Sequence, residues 1–200
     1  MALADLPSHV RDYLALALVA LAAGVLAGLL LGMVAAHVRG LRAPLLALGN
    51  LARVVPSLAL LTFMLPVFGV GFVPAAVALA LLATAPVLIN TDLGFREIPP
   101  AVLETASALG MTPLQRLARV EWPLALPIAF AGVRTAATEV IASAVLASFI
   151  GAGGLGEYIT NGLQANEPQT LWTGVAAIAA IAVLFEVVLA LVAARLGEPA

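Results

Sequence analysis

The chain contains 200 residues, of which 63% are apolar and 10% are charged, and its mean hydropathy is +1.12. Soluble domains contain about 45–50% apolar and about 25% charged residues, so this composition indicates a chain that resides in a lipid bilayer. The formal net charge of −2 is spread along the chain without long runs, which excludes a basic surface for nucleic acid.

Several residue types are missing, and each absence excludes a class of chemistry. The sequence has no cysteine, which rules out disulfides and thiolate sites. All nine basic residues are arginine, so the lysine of a phosphate-binding P-loop is not available. Because the only histidines are His9 and His37, a histidine-rich metal cluster is excluded as well. We therefore expect no cofactor and no metal in this chain, and we expect any ATP hydrolysis on another polypeptide.

Uncharged apolar runs predict five membrane-spanning helices. About 20 apolar residues are needed to cross about 30 Å of hydrocarbon, and helices satisfy their own backbone groups in lipid. The predicted spans cover residues 13–36, 45–68, 72–91, 124–150 and 172–194. The second and third spans share one uncharged run, which the glycines near residue 70 divide. The sequence thus predicts an all-α polytopic membrane protein with a single transmembrane domain over residues 1–200.

The arginines predict the orientation of the spans. Five spans place the two termini on opposite sides, and cytoplasmic loops carry an excess of basic residues. If the N-terminus is outside, only Arg11 lies in an outer loop. The inner loops then hold Arg39, Arg42, Arg96, Arg116, Arg119 and Arg195. We therefore expect the N-terminus outside, the C-terminus inside and one sizeable cytoplasmic loop at residues 94–123.

The first half of this loop is predicted to form a short helix. Pro99 and Pro100 suit the first turn of a helix that runs to Leu109, and Gly110 suits the left-handed position that ends it. The helix carries small side chains around Glu104, so it fits a groove of a soluble partner.

The second half of the loop is predicted to begin a second short helix after a hinge. Thr112 and Gln115 form the pattern of a capping box, with Pro113 at the first helical position. Pro123 and Pro127 are then expected to bend the chain into the fourth span.

The loop also resembles a known family motif. Its residues are Glu104-Thr105-Ala106, Gly110 and Val120-Glu121-Trp122-Pro123. Their spacing is similar to E-A-A-x-x-x-G-x(9)-I-x-L-P, the loop of membrane permeases in binding-protein-dependent ABC importers. Thr105, Val120 and Trp122 depart mildly from that pattern. Further similarity lies in residues 55–61, 98–100, 123–127, 131–136 and 150–156, which look like the glycine betaine/carnitine/choline, or osmoprotectant, branch.

The resemblance implies a fold, partners and a site. It implies a permease like those of type I ABC importers, located in a bacterial or archaeal inner membrane. The implied partners are an ABC ATPase subunit, an extracytoplasmic substrate-binding protein and a second permease copy or paralogue. The residues implied to couple to the ATPase are Glu104, Thr105, Ala106, Gly110 and Pro123. The implied function is ATP-driven import of a compatible solute such as glycine betaine, choline or carnitine, without covalent chemistry in this chain.

Polar and proline residues within the spans are candidates for the pathway or for contacts between helices. A charge that faces lipid is costly, so Glu139 and Glu186 are expected to face protein or water. Two alternatives stay open for them, a hydrogen bond between helices or a place along the solute route. Arg134 is interpreted as a contact to a helix or loop, and Pro56 and Pro86 as kinks that could also frame a gate.

Two further signals concern ligand binding. Gly151, Gly153 and Gly156 match the dinucleotide fingerprint formally, but the βαβ context is missing, so we expect tightly turned backbone at the outer side. Contact with a docked binding protein is an additional alternative for this turn. Quaternary ammonium groups are usually held in aromatic cages, and this chain has few tyrosines and tryptophans. We therefore expect solute selectivity to reside in the binding protein.

The sequence leaves three alternatives to this function to compare. A permease for another small solute, such as an amino acid, fits the same features, and the residues do not choose among solutes. A self-sufficient channel or secondary carrier is a second alternative, although carriers often show internal repeats and none is evident. An enzyme has no credible set of residues behind it. The sequence also leaves open whether the paired permease is identical and whether the binding protein is tethered.

Overall fold

The computed structural model describes residues 5–196, and all regular structure within them is helical, as predicted. The α-helices are α1 (Leu6–His37), α2 (Arg39–Val54), α3 (Ser57–Phe63), α4 (Leu65–Phe68), α5 (Phe72–Arg96), α6 (Pro100–Ala108), α7 (Pro113–Arg116), α8 (Trp122–Ala144), α9 (Gly156–Gln164) and α10 (Pro168–Leu196). A π-helical turn, Leu117–Glu121, precedes α8, and a 3-10 segment, Val145–Ile150, follows it. The two chain ends, whose sides were predicted above, lie outside the described residues.

Four helical stretches are long and apolar enough to cross a membrane, and a bent pair makes a fifth. The four are α1, α5, α10 and the continuous stretch Pro113–Ile150. The pair consists of α2 and the segment Ser57–Phe68, which meet at an angle of 103°. If the pair counts as one span, the described chain has the five predicted spans. The helices extend beyond the predicted apolar segments because their polar ends continue the same hydrogen-bonded turns.

The second span differs from the prediction of one helix over residues 45–68. The helix α2 ends at Val54, and Val55 adopts an extended conformation with ψ of 123°. The reason is Pro56, which disfavours helical geometry in the residue before it and has no N–H to continue the ladder. Pro56 therefore separates two helices, whereas Pro86 lies within α5, which continues through it.

The central helix α5 packs between α1 and α8, and glycines allow close backbone contact on both sides. A Cβ added at Gly24, Gly28 or Gly32 of α1 would lie 2.5 Å from the Cβ of Ala83, Val87 or Thr91 of α5, respectively. On the other side, the corresponding atom at Gly132 of α8 would lie 2.7 Å from the carbonyl oxygen of Pro86. Close approach through small residues is a common way for helices to associate in lipid. Burial of apolar side chains contributes little there, because the lipid tails are apolar as well.

The loop between the third and fourth spans also differs in part from the prediction. The first helix and its end are as expected, but the second helix does not stop before the span. It continues through the π-helical turn Leu117–Glu121 into α8 without a hinge at Pro123 or Pro127. The wide turn explains this difference. The Trp122 N–H donates to the Leu117 oxygen five residues back, which continues the helical hydrogen bonds up to the start of α8. Pro123 has no N–H and therefore leaves no donor unsatisfied in the first turn of α8.

The glycine-rich segment after the fourth span forms tight turns, as expected, and leads into an unpredicted helix. Gly151, Gly153 and Gly154 have φ values of 74°, 75° and 81°. A helical segment, and not a strand, precedes them, so the dinucleotide fingerprint lacks its structural context. The following helix α9 packs on α10, where a Cβ at Gly162 would lie 2.7 Å from the Leu171 nitrogen.

Candidate functional site

The short helix α6 projects from the bundle between α5 and α7, and its end is closed as the sequence predicts. Gly110 has a φ of 76°, which confirms the expected left-handed conformation. The Gly110 N–H donates to the Ser107 oxygen at 3.0 Å, and the Met111 N–H donates to the Ala106 oxygen at 3.2 Å. These two bonds satisfy carbonyl groups at the end of the helix.

The following restart of the chain is the predicted capping box. The Gln115 N–H donates to the Thr112 hydroxyl at 3.3 Å, and the Thr112 N–H donates to the Gln115 side-chain oxygen at 2.9 Å. Pro113 occupies the first helical position. The hinge between α6 and α7 is therefore fixed on both sides by hydrogen bonds within the loop itself.

The surface of α6 presents three of the five residues of the family motif. Glu104, Thr105 and Gly110 are exposed, whereas Ala106 is buried against the bundle. Pro123 is exposed in the first turn of α8. A groove of about 380 Å³ follows one side of the helix. Its lining is mostly apolar and consists of Ala101, Val102, Thr105, Ala106, Leu109, Met111 and Val120.

A small apolar cluster holds α6 against the bundle. Phe95, Ile98 and Ala125 form its buried centre. Val102 and Leu103 of α6 pack against this centre, and so do residues from α1 and the start of the fourth span. Two side chains of α6 therefore contact a cluster to which α1, α5 and the start of the fourth span also contribute.

Beside this cluster lies a polar group that the sequence analysis did not assign. Glu121 accepts a hydrogen bond from the Arg116 Nε at 2.6 Å and lies 2.8 Å from the His37 Nε2. Burial by itself raises the pKa of the Glu121 carboxyl, but the hydrogen bonds and charges of His37 and Arg116 outweigh it and lower the pKa below its ordinary value. The charged form of Glu121 is thus the form that its surroundings stabilise.

The polar residues of the spans lie apart from this loop. Arg134 of α8 donates to Glu186 of α10 at 2.7 Å, so the structure brings these two candidates together. The Glu186 side chain is 52% exposed on the surface of the single chain. Glu139 is partly buried, and its Oε2 atom has no hydrogen-bond partner among the described residues. Pro56 is exposed at the bend of the second span and Pro86 is buried within α5.

Both tyrosines and Trp122 are used for packing. Tyr13 and Tyr158 are almost fully buried, and the Tyr13 hydroxyl donates to the Ile141 oxygen of α8. The Trp122 ring packs on Phe95 with 5.7 Å between centroids. Trp172 is exposed on α10. In residues 5–196 no group of three or more histidine and acidic side chains has an arrangement that could hold a metal ion.

The family model for the binding-protein-dependent transport system inner membrane component matches residues 24–198 of the chain. The chain belongs to this family. Its membership confirms the resemblance read from the loop, and it makes the chain a multi-pass transport component of an inner membrane. Members of this family are permease subunits of ABC importers and are not enzymes, because the ATPase is a separate subunit.

The chain aligns with several curated relatives over most of its own length and most of theirs. The choline transport system permease protein OpuBB of Bacillus subtilis (strain 168) is 39% identical over 189 residues, which are 94% of this chain and 87% of the relative. The glycine betaine/carnitine/choline transport system permease protein OpuCB of the same organism is 37% identical over 90% of this chain and 82% of its own length. The osmoprotectant import permease protein OsmW of Salmonella typhimurium is 36% identical over 84% of this chain and 82% of its own length.

Solved structures share the fold. An inward-facing structure of the MetNI methionine ABC transporter matches with a TM-score of 0.87 over 98% of this chain and 99% of that chain, at 22% identity. An amino acid ABC transporter structure matches with a TM-score of 0.78 over 95% of this chain and 93% of that chain, at 21% identity. At these identities the likeness shows the fold alone, and it confirms the expected type I importer architecture.

Proposed function

We propose that this permease imports a compatible solute of the glycine betaine, choline and carnitine group. The observation that carries this proposal is the 39% identity to a choline permease over 94% of the chain. Relatives named for carnitine and for osmoprotectants support the same class of solute. The solute is then a small molecule with a quaternary ammonium group, whose cation an aromatic cage would bind.

Selectivity is assigned to a separate extracytoplasmic binding protein, and the permease provides a path. Supporting this assignment, Tyr13 and Tyr158 are buried in helix packing and Trp122 stacks near Phe95. None of these rings is free to surround a solute cation. The isolated permease should therefore bind the solute weakly, whereas the assembly with its binding protein should bind it tightly.

Two permease chains pair around the path, and the N-terminus of each lies outside the membrane. The charge pair of Arg134 and Glu186 supports pairing on the side formed by α8 and α10, because a half-exposed pair within a span is costly against lipid. The six arginines of the inner loops support the orientation. Glu139 and Glu186 then face the partner chain or the aqueous path.

Coupling to the ATPase is assigned to the exposed side of α6. Glu104 and Thr105 face outward, and Gly110 leaves open space where a side chain would stand. Binding of ATP by the partner subunits brings the two α6 helices together, and the motion opens the path on alternate sides of the membrane. This is a coupling between distinct sites through a change of conformation.

The test uses Glu104→Lys and Gly110→Val in the complete importer. The first change reverses a charge on the contact surface, and the second places a side chain on a residue with a φ of 76°, which costs about 1 kcal/mol or more. Both variants should accumulate in the membrane but lose ATPase copurification and ATP-driven solute uptake. Glu97→Lys and Gly40→Val are matched controls, since both positions are exposed and Gly40 has no atom near a new Cβ.

Uptake should be measured with labelled choline, glycine betaine and carnitine, and with an amino acid for comparison. Normal uptake by both loop variants at normal abundance would show that α6 is not the coupling element. Uptake of the amino acid alone would overturn the proposed solute class. Solute flux through the permease without its ATPase would favour the channel or carrier alternative.

A further inference from the structure

A chain of four polar side chains connects α6 to the end of α1. We call Ser107, Arg116, Glu121 and His37 the cytoplasmic polar network. Arg116 donates from Nη1 to the Ser107 hydroxyl oxygen at 3.3 Å and from Nε to Glu121 Oε1 at 2.6 Å. The other oxygen of Glu121 lies 2.8 Å from His37 Nε2. The network therefore joins residues of one loop, 9 and 5 positions apart, to His37, which is 84 positions from Glu121.

Glu121 is the buried centre of this network. Its side chain is 6% exposed, whereas those of His37 and Arg116 are 40% and 34% exposed. Each carboxylate oxygen has one basic partner, so no oxygen of this buried group lacks a hydrogen bond. Replacing one carboxylate oxygen by an amide nitrogen would remove the charge and leave one of the two partners without its acceptor, beside a side chain that is only 6% exposed.

The geometry of His37 fixes the direction of its contacts. His37 Nδ1 lies 2.8 Å from the Met33 carbonyl oxygen, which can only accept, so Nδ1 carries a hydrogen in this contact. The other ring nitrogen, Nε2, lies 2.8 Å from Glu121 Oε2. The ring is further held by an edge contact to Phe95, with 5.1 Å between centroids. The last turn of α1 is thereby oriented toward Glu121.

The hydrogen bond between Arg116 and Ser107 connects the side chains of α6 to the rest of the network. Within residues 5–196, it is the side-chain hydrogen bond that joins α6 to another element, since the Thr105 hydroxyl and the Ser107 hydroxyl donate within α6. Apart from this bond, α6 is held by the buried side chain of Ala106 and by Val102 and Leu103 in the apolar cluster. A nine-residue helix with so few contacts has little resistance to rotation on the bundle.

The π-helical turn Leu117–Glu121 places the carboxylate where both partners reach it. Glu121 occupies a position that the loop motif leaves open, between Val120 and Trp122. Glu121 is therefore not one of the motif residues that were assigned above to the ATPase contact. Its partners come from the last residue of α1 and the last residue of α7.

We propose that Glu121 is a positioning residue for energy coupling, because it joins α6 to α1 and α8 so that they move together. The inference rests on the proposed function, since coupling requires that α6 meets the ATPase. Without the Glu121 carboxylate, α6 can rotate on the bundle while the spans stay in place. Hydrolysis of ATP would then continue with less solute transported for each ATP.

The test compares Glu121→Gln and Arg116→Gln with two controls. Glutamine keeps the size of the Glu121 side chain and removes its charge. Glu97→Gln removes an exposed carboxylate from the same loop, and Arg119→Gln removes an exposed guanidinium three residues from Arg116. Two quantities are measured, the amide hydrogen exchange of α6 in the purified permease and the ATP hydrolysed for each solute imported by the reconstituted complex.

Both network variants should assemble with the ATPase and accumulate normally. Exchange across α6 should become about tenfold faster than in the controls, because a hydrogen bond to a charged group is lost. The ATP hydrolysed per solute should rise severalfold, which a general loss of folded protein would not cause. Glu121→Gln and Arg116→Gln proteins that match the controls in either measurement, at normal abundance, would overturn the proposal.

Two outcomes separate this inference from the proposed function. If Glu121→Gln fails to accumulate, Arg116→Gln decides, because Arg116 is partly exposed and its loss leaves Glu121 paired with His37. If the unaltered complex shows no ATP-driven uptake, the proposed function is wrong. Unchanged α6 exchange in the variants would then overturn the positioning role as well, and faster exchange would support it as a property of the permease alone.

Discussion

Asp92 carries a buried negative charge on α5, and Arg42 of α2 pairs with it at two points. The Arg42 Nε lies 3.1 Å from Oδ1, and Nη2 lies 3.1 Å from Oδ2. Asp92 is 4% exposed and Arg42 is 36% exposed. The planar fork of arginine matches a carboxylate in this geometry, which lysine cannot reproduce. The pair holds the first half of the bent second span against the central helix.

Replacing Arg42 by alanine should destabilise the protein by about 3 kcal/mol, at the low end for a broken buried ion pair because Arg42 is partly exposed. The cause is the carboxylate of Asp92, which stays buried without a partner. Thermal unfolding of the detergent-purified chain measures the effect. Arg39→Ala, at an exposed position of the same helix, is the control.

A second change at Asp92 distinguishes the pair from a general effect of shortening Arg42. The combination of Asp92→Asn with Arg42→Ala should recover part of the lost stability, since the unpaired charge is gone. Equal melting temperatures for Arg42→Ala and Arg39→Ala would show that the pair contributes nothing measurable.

Interactions between neighbouring residues were predictable from the sequence, and distant ones were not. The left-handed conformation of Gly110 and the capping box of Thr112 and Gln115 depend on residues within three to five positions of each other. The contact between His37 and Glu121 joins residues that are 84 positions apart. Its sequence signal is only that each polar residue stands beside an apolar span, which does not say where the chain folds back.

At the scale of helices, the sequence identified the apolar segments but not the faces that pack. The spacing of Gly24, Gly28 and Gly32 is a signal that small residues share one face of a helix. The prediction did not use this spacing, and the spacing alone does not indicate that α5 is the helix that packs on it. The continuation of α7 into α8 was also missed, because two prolines outweighed the effect of a local π-helical turn.

Gly28→Leu should destabilise the contact between α1 and α5. The new Cβ would lie 2.5 Å from the Val87 Cβ and 2.9 Å from the Thr84 oxygen, so the helices must separate. The expected cost is about 3 kcal/mol, the upper end for overpacking a core. The melting temperature of the purified permease and its abundance in the membrane should both fall.

The matched control for this change lies on the same helix. Ala22→Leu adds a side chain of the same final size at an exposed position of α1. It should leave the melting temperature unchanged, because leucine facing lipid meets no protein atoms. A normal melting temperature for Gly28→Leu would mean that the two helices are free to adjust their distance.

At the scale of the whole molecule, the number of spans and the fold class were predictable because they depend on sums over many residues. Five apolar runs remain recognisable even when individual boundaries move by several positions. A kink at Pro56 in the second span was predicted, but its angle of 103° was not, since the angle depends on how both halves pack. The face that meets a second permease depends on a partner that a single sequence does not contain.

The orientation can be tested directly because the natural chain has no cysteine. Leu109→Cys after α6 and Leu163→Cys in α9 introduce thiols at positions that are 73% and 63% exposed. In intact cells, a membrane-impermeant maleimide should label Leu163→Cys, whereas Leu109→Cys should react only after permeabilisation. The reverse pattern would invert the proposed topology.

The glycine contacts on both sides of α5 hold this helix so closely that it should move as a rigid rod. With 25 residues, α5 is about 38 Å long, at about 1.5 Å per residue. Because backbone meets backbone along α1 and at Gly132 of α8, little side-chain volume remains between these helices to absorb shear. A tilt of about 5° at the α6 end would therefore displace the opposite end by about 3 Å, which is the length of one hydrogen bond. A displacement of that size can exchange hydrogen-bond partners at the far side of the membrane while every helical turn of α5 stays intact.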